Sequence, residues 1–332
     1  MASVDVFIPC YKYAHYLRGC VESVLKQEGV DVRVLILDDC SPDNTPEVAR
    51  QLMADDSRVE YHRNATNRGH IETYNIGIEW CAGDYCLLLS ADDMLVPGAL
   101  ARAARVMNEH PDVALTYGGE IRAADPRFDQ LPNAATFGWR VITGGEFWAM
   151  SCEQAKNLVP TPSAVARTAI HKQVGGYRKD LPHSGDLEMW LRLAAYGSVG
   201  IIDAPQGVYR VHGNNMSKGY AGLGDLRQKK AAFDIAAEAY GGRVAADLPR
   251  LLEHVNRLVA QDAFWSAHQS FDSGDMRACR ECLEYASGVW PGISTWSPWR
   301  RLQFKQLFGF GVWSTVRPVL AWARRLRQAC AM

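Results

Sequence analysis

The feature that most constrains this chain is an alternation within its first 117 residues. Short apolar runs alternate with helical patterns, and most of the runs break off into a polar loop. Residues 4–8 read as a strand, followed by the loop Pro9-Cys10-Tyr11-Lys12 and a helix with Tyr16, Leu17, Cys20, Val21, Val24 and Leu25 on one face. Residues 32–37 form a second strand. It ends in Asp38-Asp39-Cys40-Ser41-Pro42-Asp43-Asn44-Thr45, which is turn and cap chemistry before a helix near Pro46. A short strand at 59–62, a loop at 64–69 and a helix at 71–81 follow, and the strand at 84–89 runs straight into Ser90-Ala91-Asp92-Asp93. Such alternation predicts an α/β fold with a mostly parallel sheet and right-handed crossovers.

In such sheets, ligands gather beyond the carboxyl ends of the strands. Adjacent carboxylates there can offer oxygen ligands to Mg2+ or Mn2+, and the ion can hold a diphosphate. An isolated Asp-Asp pair is more often a solvated turn that caps the next helix, here the one starting near Pro97. Three loops converging on one sheet edge favour a site instead.

Further along, residues 99–109 read as a helix closed by His110-Pro111, and 113–117 as a strand. Periodicity is then lost from 118 to 160, a length that suggests a functional segment such as a substrate lid. A strand at 163–167, helices at 170–174 and 186–196, and strands at 199–202 and 207–211 follow, the last ending in His212-Gly213-Asn214-Asn215. From Asp225 onward the pattern is helical, with helices expected at 226–240, 248–271 and 276–286.

A chain of 332 residues, 48% hydrophobic, can bury a sizeable core, and its length suggests two domains or one with an appendage. The net charge of −1 gives no sign of a nucleic-acid partner, although the end of the chain is basic. Met1-Ala2-Ser3 leads directly into a strand pattern and no apolar run is long enough to span a bilayer, so the expectation is a cytoplasmic protein. The nine scattered cysteines fit reduced thiols, and Cys279-x-x-Cys282 lacks a second ligand pair for zinc. Both read as ordinary helix residues.

Several motifs together, in order, resemble the inverting glycosyltransferases of family 2, which have the GT-A fold. Pro9-x-Tyr11 and Asp38-Asp39-x-Ser41-x-Asp43-x-Thr45 are similar to that family's nucleotide-binding loops, and Asn67-Arg68-Gly69 with Asn75-x-Gly77 to its third motif. Ser90-Ala91-Asp92-Asp93 stands where the family has its metal-binding Asp-x-Asp, with Ser90 replacing the first acid. Residues 185–192 resemble its catalytic-base segment, and 209–217 its late metal-ligand loop. The resemblance covers about the first 220 residues. It implies a catalytic domain at 1–220, with a nucleotide-binding half to about 117 and an acceptor-binding half to 220. A helical region at 221–332 carries the basic, Trp-rich tail. The Gln-x-x-Arg-Trp signature of processive members is absent, which points to transfer of a single sugar.

The resemblance assigns roles to individual residues. Asp92, Asp93 and His212 would hold Mn2+ or Mg2+, with Asp92 as the direct ligand of the acid pair. Asp186 would be the general base that takes the acceptor hydroxyl's proton, with Glu188 as second candidate or as an acceptor contact. A helix N-cap is the plain alternative for Asp186, and a surface or core histidine the plain alternative for His212. Asp38 or Asp39 would accept a base N–H, Tyr11 would stack on the base, and Pro9, Arg68 and Asp92 would complete the donor site. The implied donor is a nucleotide-sugar, with the resemblance favouring UDP, and the acceptor a glycan or lipid-linked glycan, as in bacterial surface polysaccharide assembly.

In the tail, Trp290, Trp296, Trp299, Trp313 and Trp322 lie among Arg300, Arg301, Lys305, Arg317, Arg324, Arg325 and Arg327. That pattern suits peripheral contact with anionic lipid, and equally packing against the catalytic domain or a second subunit of a homodimer. Two rival functions remain at this point. A sugar nucleotidyltransferase would be expected to carry a Gly-rich loop after the first strand, where this chain has no glycine. A non-catalytic sugar-nucleotide-binding protein gains a little from Ser90, but Asp186 and His212 argue against it.

Overall fold

A computed structural model describes residues 1–134, 136–220, 222–244 and 247–329, without the side chains of 217, 218 and 317–329. The chain divides into two compact units, residues 1–219 with 231–248, and residues 220–230 with 249–332.

In chain order the first unit contains β1 (Ser3–Cys10), α1 (Ala14–Leu25), β2 (Asp31–Asp38), α2 (Thr45–Asp55), β3 (Val59–Arg63), α3 (His70–Trp80), β4 (Tyr85–Leu88) and β5 (Met94–Leu95). It continues with α4 (Ala99–Glu109), β6 (Val113–Ala123), β7 (Gly138–Ile142), α5 (Gly144–Gln154), β8 (Val165–Arg167), α6 (Thr168–Val174), α7 (Gly185–Ala194) and β9 (Ser198–Arg210). The strands form one nine-stranded sheet in the order β3-β2-β1-β4-β8-β6-β9-β5, with β7 also pairing β9. β1 and β4 are buried almost throughout, as expected of central strands covered on both faces.

Strand direction decides where the site forms. β1 pairs parallel with β2 and β4, and β2 with β3. β8 runs antiparallel to both β4 and β6, and β9 is parallel to β6, so β9 points the same way as β4. The ends of β1, β2, β4 and β9, at Cys10, Asp38, Leu88 and Arg210, therefore share one sheet edge. The three strands that run against this direction are β5, β7 and β8.

Two expectations change. The two strands expected at 199–202 and 207–211 are one long strand, β9, which ends at Arg210 and whose pairing with β6 shifts register at Gly118, Gly119 and Glu120. Residues 118–160 are not irregular throughout, because β6 runs on to Ala123 and β7 and α5 follow. Thr143 and Glu146 form a reciprocal capping box at the start of α5, which satisfies the first orphan N–H groups of that helix. Trp148 then fixes α5 by donating its indole N–H to the Leu191 carbonyl of α7 at 2.8 Å.

Four further helices are α8 (Leu223–Tyr240), α9 (Leu248–Ser273), α10 (Met276–Val289) and α11 (Ser297–Ala329), the last broken at Gly309. The second unit is built on one face of α9, where Val255, Val259, Ala263, Phe264, Ala267 and Phe271 are buried. Cys279 and Cys282 are buried, unpaired thiols on α10. Trp296 and Trp299 stack on Phe264 at 5.2 and 5.9 Å, and Trp313 donates to Asp272. These tryptophans are core and cap residues of the unit rather than a lipid-facing belt. The side chain of Trp322 lies outside the described residues. Among the described residues, no helix is long and apolar enough to cross a membrane.

Candidate active site

The loops after β1 and β2 are tied to each other. The Asp39 N–H donates to the Cys10 carbonyl at 3.0 Å, and the Lys12 N–H to the Ser41 hydroxyl at 3.2 Å. Lys12 and Cys40 both hold positive φ (65° and 59°), a conformation costing about 1–3 kcal/mol that persists where surrounding bonds over-determine it. Tyr11 projects from this junction and stays exposed, with the Lys12 ammonium 4.9 Å from its ring centre.

Asp38 and Asp39 are buried at the end of β2, and both are heavily committed. Asp38 accepts the Ser41 N–H at 2.7 Å, the Tyr61 hydroxyl at 2.9 Å and the Arg63 guanidinium. Asp39 accepts the Asn64 amide and the Arg68 and Gly69 N–H groups, each at 2.8 Å. Gly69, at φ 82°, suits the turn that aims its N–H at Asp39. Arg68 therefore meets Asp39 through its backbone, and the residue itself is exposed.

At the end of β4, a turn closed by the Asp93 N–H on the Ser90 carbonyl sends the two carboxylates in different directions. Asp92 faces His212, with Oδ2 to Nε2 at 3.0 Å. Nδ1 of His212 accepts the Asn214 N–H at 3.2 Å, and the Asn215 amide lies 3.3 Å from Nε2. Asp93 instead accepts the Arg210 N–H at 3.0 Å. Burial, reinforced by the charge of Asp92, holds the Asp93 carboxyl well above the ordinary carboxylate range. Among the described residues, no three His, Cys, Asp or Glu side chains converge as a metal-binding group. Of the three expected ligands, the structure thus brings Asp92 and His212 together and holds Asp93 apart.

Arg210 organises this corner. Its Nε donates to the Asp92 carbonyl at 2.8 Å, and its guanidinium lies 4.6 Å from the Tyr16 ring centre. Tyr13 and Tyr16 flank the His212 ring at 5.4 and 5.1 Å, and the Tyr13 hydroxyl donates to the Asn214 carbonyl at 2.9 Å. Burial, with the nearby Asp92 charge, pushes the Tyr13 phenol up to about 12. Sequence reasoning quoted Arg210 only as part of a motif and gave Tyr13 no role, since neither states its partner locally.

Asp186 lies in the first turn of α7 rather than at its cap, which is Ser184. Its Oδ2 accepts the Asn157 amide at 2.8 Å and the Thr161 hydroxyl at 3.4 Å, and its Oδ1 the Leu187 N–H at 2.8 Å. Although these bonds favour the anion, burial outweighs them and raises its pKa. The turn at Thr161–Ser163 packs on β9, where a Cβ on Gly207 would lie 2.7 Å from the Pro162 carbonyl. Asn157 sits in the stretch that shows no periodicity, so the pattern gave no sign of its contact with Asp186.

Glu188 does not join these residues. It is buried and paired with Arg192 at 2.7 Å, one turn along α7, and Arg192 also donates to the Val174 carbonyl. Desolvation raises its pKa against the pull of Arg192. Glu188 thus sits in a buried ion pair within α7, which Arg192 ties to the end of α6.

The family model for glycosyl transferase family 2 matches residues 5–171, half of the chain. The chain belongs to glycosyl transferase family 2. The transferase is 25% identical over 236 residues to the hyaluronan synthase of Pasteurella multocida, covering 71% of this chain and 23% of that one. It spans less than two thirds of the length of the first curated relatives it matches. Among solved structures, it resembles S. aureus TarS in complex with UDP-GlcNAc at a TM-score of 0.57 and 16% identity, covering 86% of this chain and 92% of the other. It also resembles the mannosyltransferase PcManGT of Pyrobaculum calidifontis, in complex with GDP-Man and Mn2+, at 0.58 and 16%, covering 94% and 86%. The transferase accordingly has the GT-A fold, a mixed sheet flanked by helices, with further helices toward its C-terminus. The family match ends before Asp186 and His212.

Proposed function

We propose that this glycosyltransferase moves one sugar from a UDP-sugar to a hydroxyl of a glycan or lipid-linked glycan, with inversion and with a divalent cation. The observation that carries this reading is the meeting of Asp92 and His212, delivered by β4 and β9 to one sheet edge. A carboxylate oxygen and an imidazole nitrogen 3.0 Å apart suit Mn2+ or Mg2+, ions that take few protein ligands and complete their shell with water and phosphate oxygens. A cation held there would supply Lewis-acid stabilisation to the departing diphosphate.

The chain's own groups do the rest. Tyr11 offers an exposed face for base stacking. Asp38 and Asp39 each take three donors, and a carboxylate has room for about four, so one acceptor direction on each suits a uracil N–H. Asp186 takes the proton of the attacking acceptor hydroxyl. Its raised pKa makes it a stronger base than an exposed aspartate, and Asn157 and Thr161 hold its carboxylate in one orientation. One displacement with one base inverts the anomeric centre, so an α-linked donor gives a β-linked product. Support for a nucleotide-sugar donor comes from the solved relatives, whose complexes hold UDP-GlcNAc and GDP-Man.

The test is a panel of UDP-, GDP- and dTDP-sugars with Mn2+, Mg2+ or EDTA, scored by thermal shift and slow donor hydrolysis. A metal-dependent response to a UDP-sugar is expected. Equal responses with EDTA would remove the cation from the reading, and silence toward every donor would favour a binding role without catalysis.

A further inference from the structure

The end of the chain carries a charge bias that the catalytic reading does not use. After Glu284 there is no Asp or Glu, while Arg300, Arg301, Lys305, Arg317, Arg324, Arg325 and Arg327 supply seven cations. On α11 the inward face is occupied. Trp299 and Leu302 are buried, Gln306 donates to the Cys279 sulfur, Phe310 packs near Phe271 and Trp313 bonds Asp272. Lys305 is drawn to the same side, within 3.9 Å of Asp272.

The opposite face is apolar and uncovered. Leu307 is 83% exposed and Phe304 60%, with Phe308, Val312 and Val316 also exposed. Phe304, Leu307 and Phe308 lie at helical spacing before the break at Gly309, and the Phe304 and Phe308 rings touch at 5.0 Å to form a single patch, with Val312 and Val316 beyond the break. Arg300 and Arg301, both exposed, stand one turn before it. Exposed aromatic and aliphatic side chains, flanked by arginine with no acid in the same segment, match the chemistry of an anionic bilayer surface. A nucleic-acid surface would use the cations but leave the Phe-Leu patch in water. No described helix is long and apolar enough to span, so the contact would lie in the interface plane.

We infer that α11 docks the protein on anionic phospholipid through Phe304, Leu307 and Phe308, with Arg300 and Arg301 flanking the patch. The occupant is a lipid surface, while Trp299 is buried and Trp296 and Trp313 contact Phe264 and Asp272 within the unit. The inference is independent of the donor and acceptor chemistry.

The experiment is cosedimentation of the full chain with vesicles of phosphatidylcholine alone or with about 30% phosphatidylglycerol. The wild type is compared with Leu307→Glu/Phe308→Glu and with Arg300→Gln/Arg301→Gln, and far-UV circular dichroism and donor hydrolysis confirm folding. Expected are binding to the anionic vesicles only, at least a tenfold loss in the Glu variant, and a several-fold loss in the Gln variant or on raising salt. Absence of wild-type binding overturns the inference, as does binding that the Glu variant leaves intact. A wild-type dimer that becomes monomeric in the Glu variant without vesicle binding would assign the face to a second copy, and retention by duplex DNA in place of vesicles would assign it to nucleic acid. Either result also overturns it.

Discussion

At the end of β2, the buried acids are engaged by their own scaffold. At the ends of β4 and β9 Asp92 faces a histidine, and at the start of α7 Asp186 keeps partial exposure while burial raises its pKa. Asp38 and Asp39 gather six donors from residues 41 to 69, so their charge holds two loops in strained backbone conformations. Asp92 meets His212, and Asp186 has a burial-raised pKa despite three hydrogen bonds. A carboxylate held by three donors is fixed in place, which suits a binding platform. A carboxylate that burial makes more basic suits proton transfer near neutral pH. On the proposed reading, the same residue type serves as scaffold on one side of the crevice and as reagent on the other.

The sharpest way to break this contrast is Asp186→Asn. If Asp186 is the base, kcat falls by about 100- to 10,000-fold while donor affinity is unchanged. The wild-type rate should also show an acid limb. Because burial raises the folded pKa above the ordinary aspartate value of about 3.9, activity is lost as pH falls through that raised value, and the limb vanishes in the Asn variant. Transfer that survives in Asp186→Asn with its limb intact would move the base elsewhere.

His212→Ala comes next. Changing groups behind a metal ligand already costs about 10- to 100-fold in metal affinity, so losing a direct ligand should raise the Mn2+ needed for half-maximal activity by at least about tenfold. Donor hydrolysis titrated against Mn2+ reads this, and a thermal melt without metal separates it from unfolding. An unmoved titration would reduce the Asp92–His212 contact to a structural pair, and the reaction side of the crevice would then resemble the scaffold side.

These assignments differ in how far the sequence showed them. The alternation of strands and helices placed Asp38, Asp92 and His212 at or just beyond strand ends and Asp186 at the start of a helix, where the structure has them. Their partners were hidden because strand register, not local spacing, sets them. Tyr61, Arg63 and Asn64 reach Asp38 and Asp39 only through the β2–β3 pairing. Asp93 turns away because adjacent residues in a tight turn point apart, which an Asp-Asp spelling does not reveal. The partner of Glu188 was legible: Arg192 lies four residues on, a pairing that helical spacing already predicts, as the structure shows at 2.7 Å. Thr143-x-x-Glu146 was equally readable as a capping box and marks the helix overlooked between 118 and 160. The tryptophan tail shows the reverse limit, since a helical stripe does not say which neighbour covers it. Phe264 does so for Trp296 and Trp299.

The smallest expected effect lies on the scaffold side and refines the comparison. Tyr11 is exposed and makes no hydrogen bond through its ring, so Tyr11→Ala should leave the melting temperature close to wild type. Losing an aromatic stacking partner costs about 0.5–1.5 kcal/mol, which predicts a donor affinity weaker by about two- to tenfold, with kcat and the Mn2+ requirement unchanged. Isothermal titration with the UDP-sugar identified in the panel measures it. A loss confined to affinity would mean that the β1 and β2 loops bind the base without entering the chemistry. A fall in kcat of similar size to that of His212→Ala would instead mean that the two sides of the crevice act as one unit, and the division between scaffold acids and reacting acids would fail.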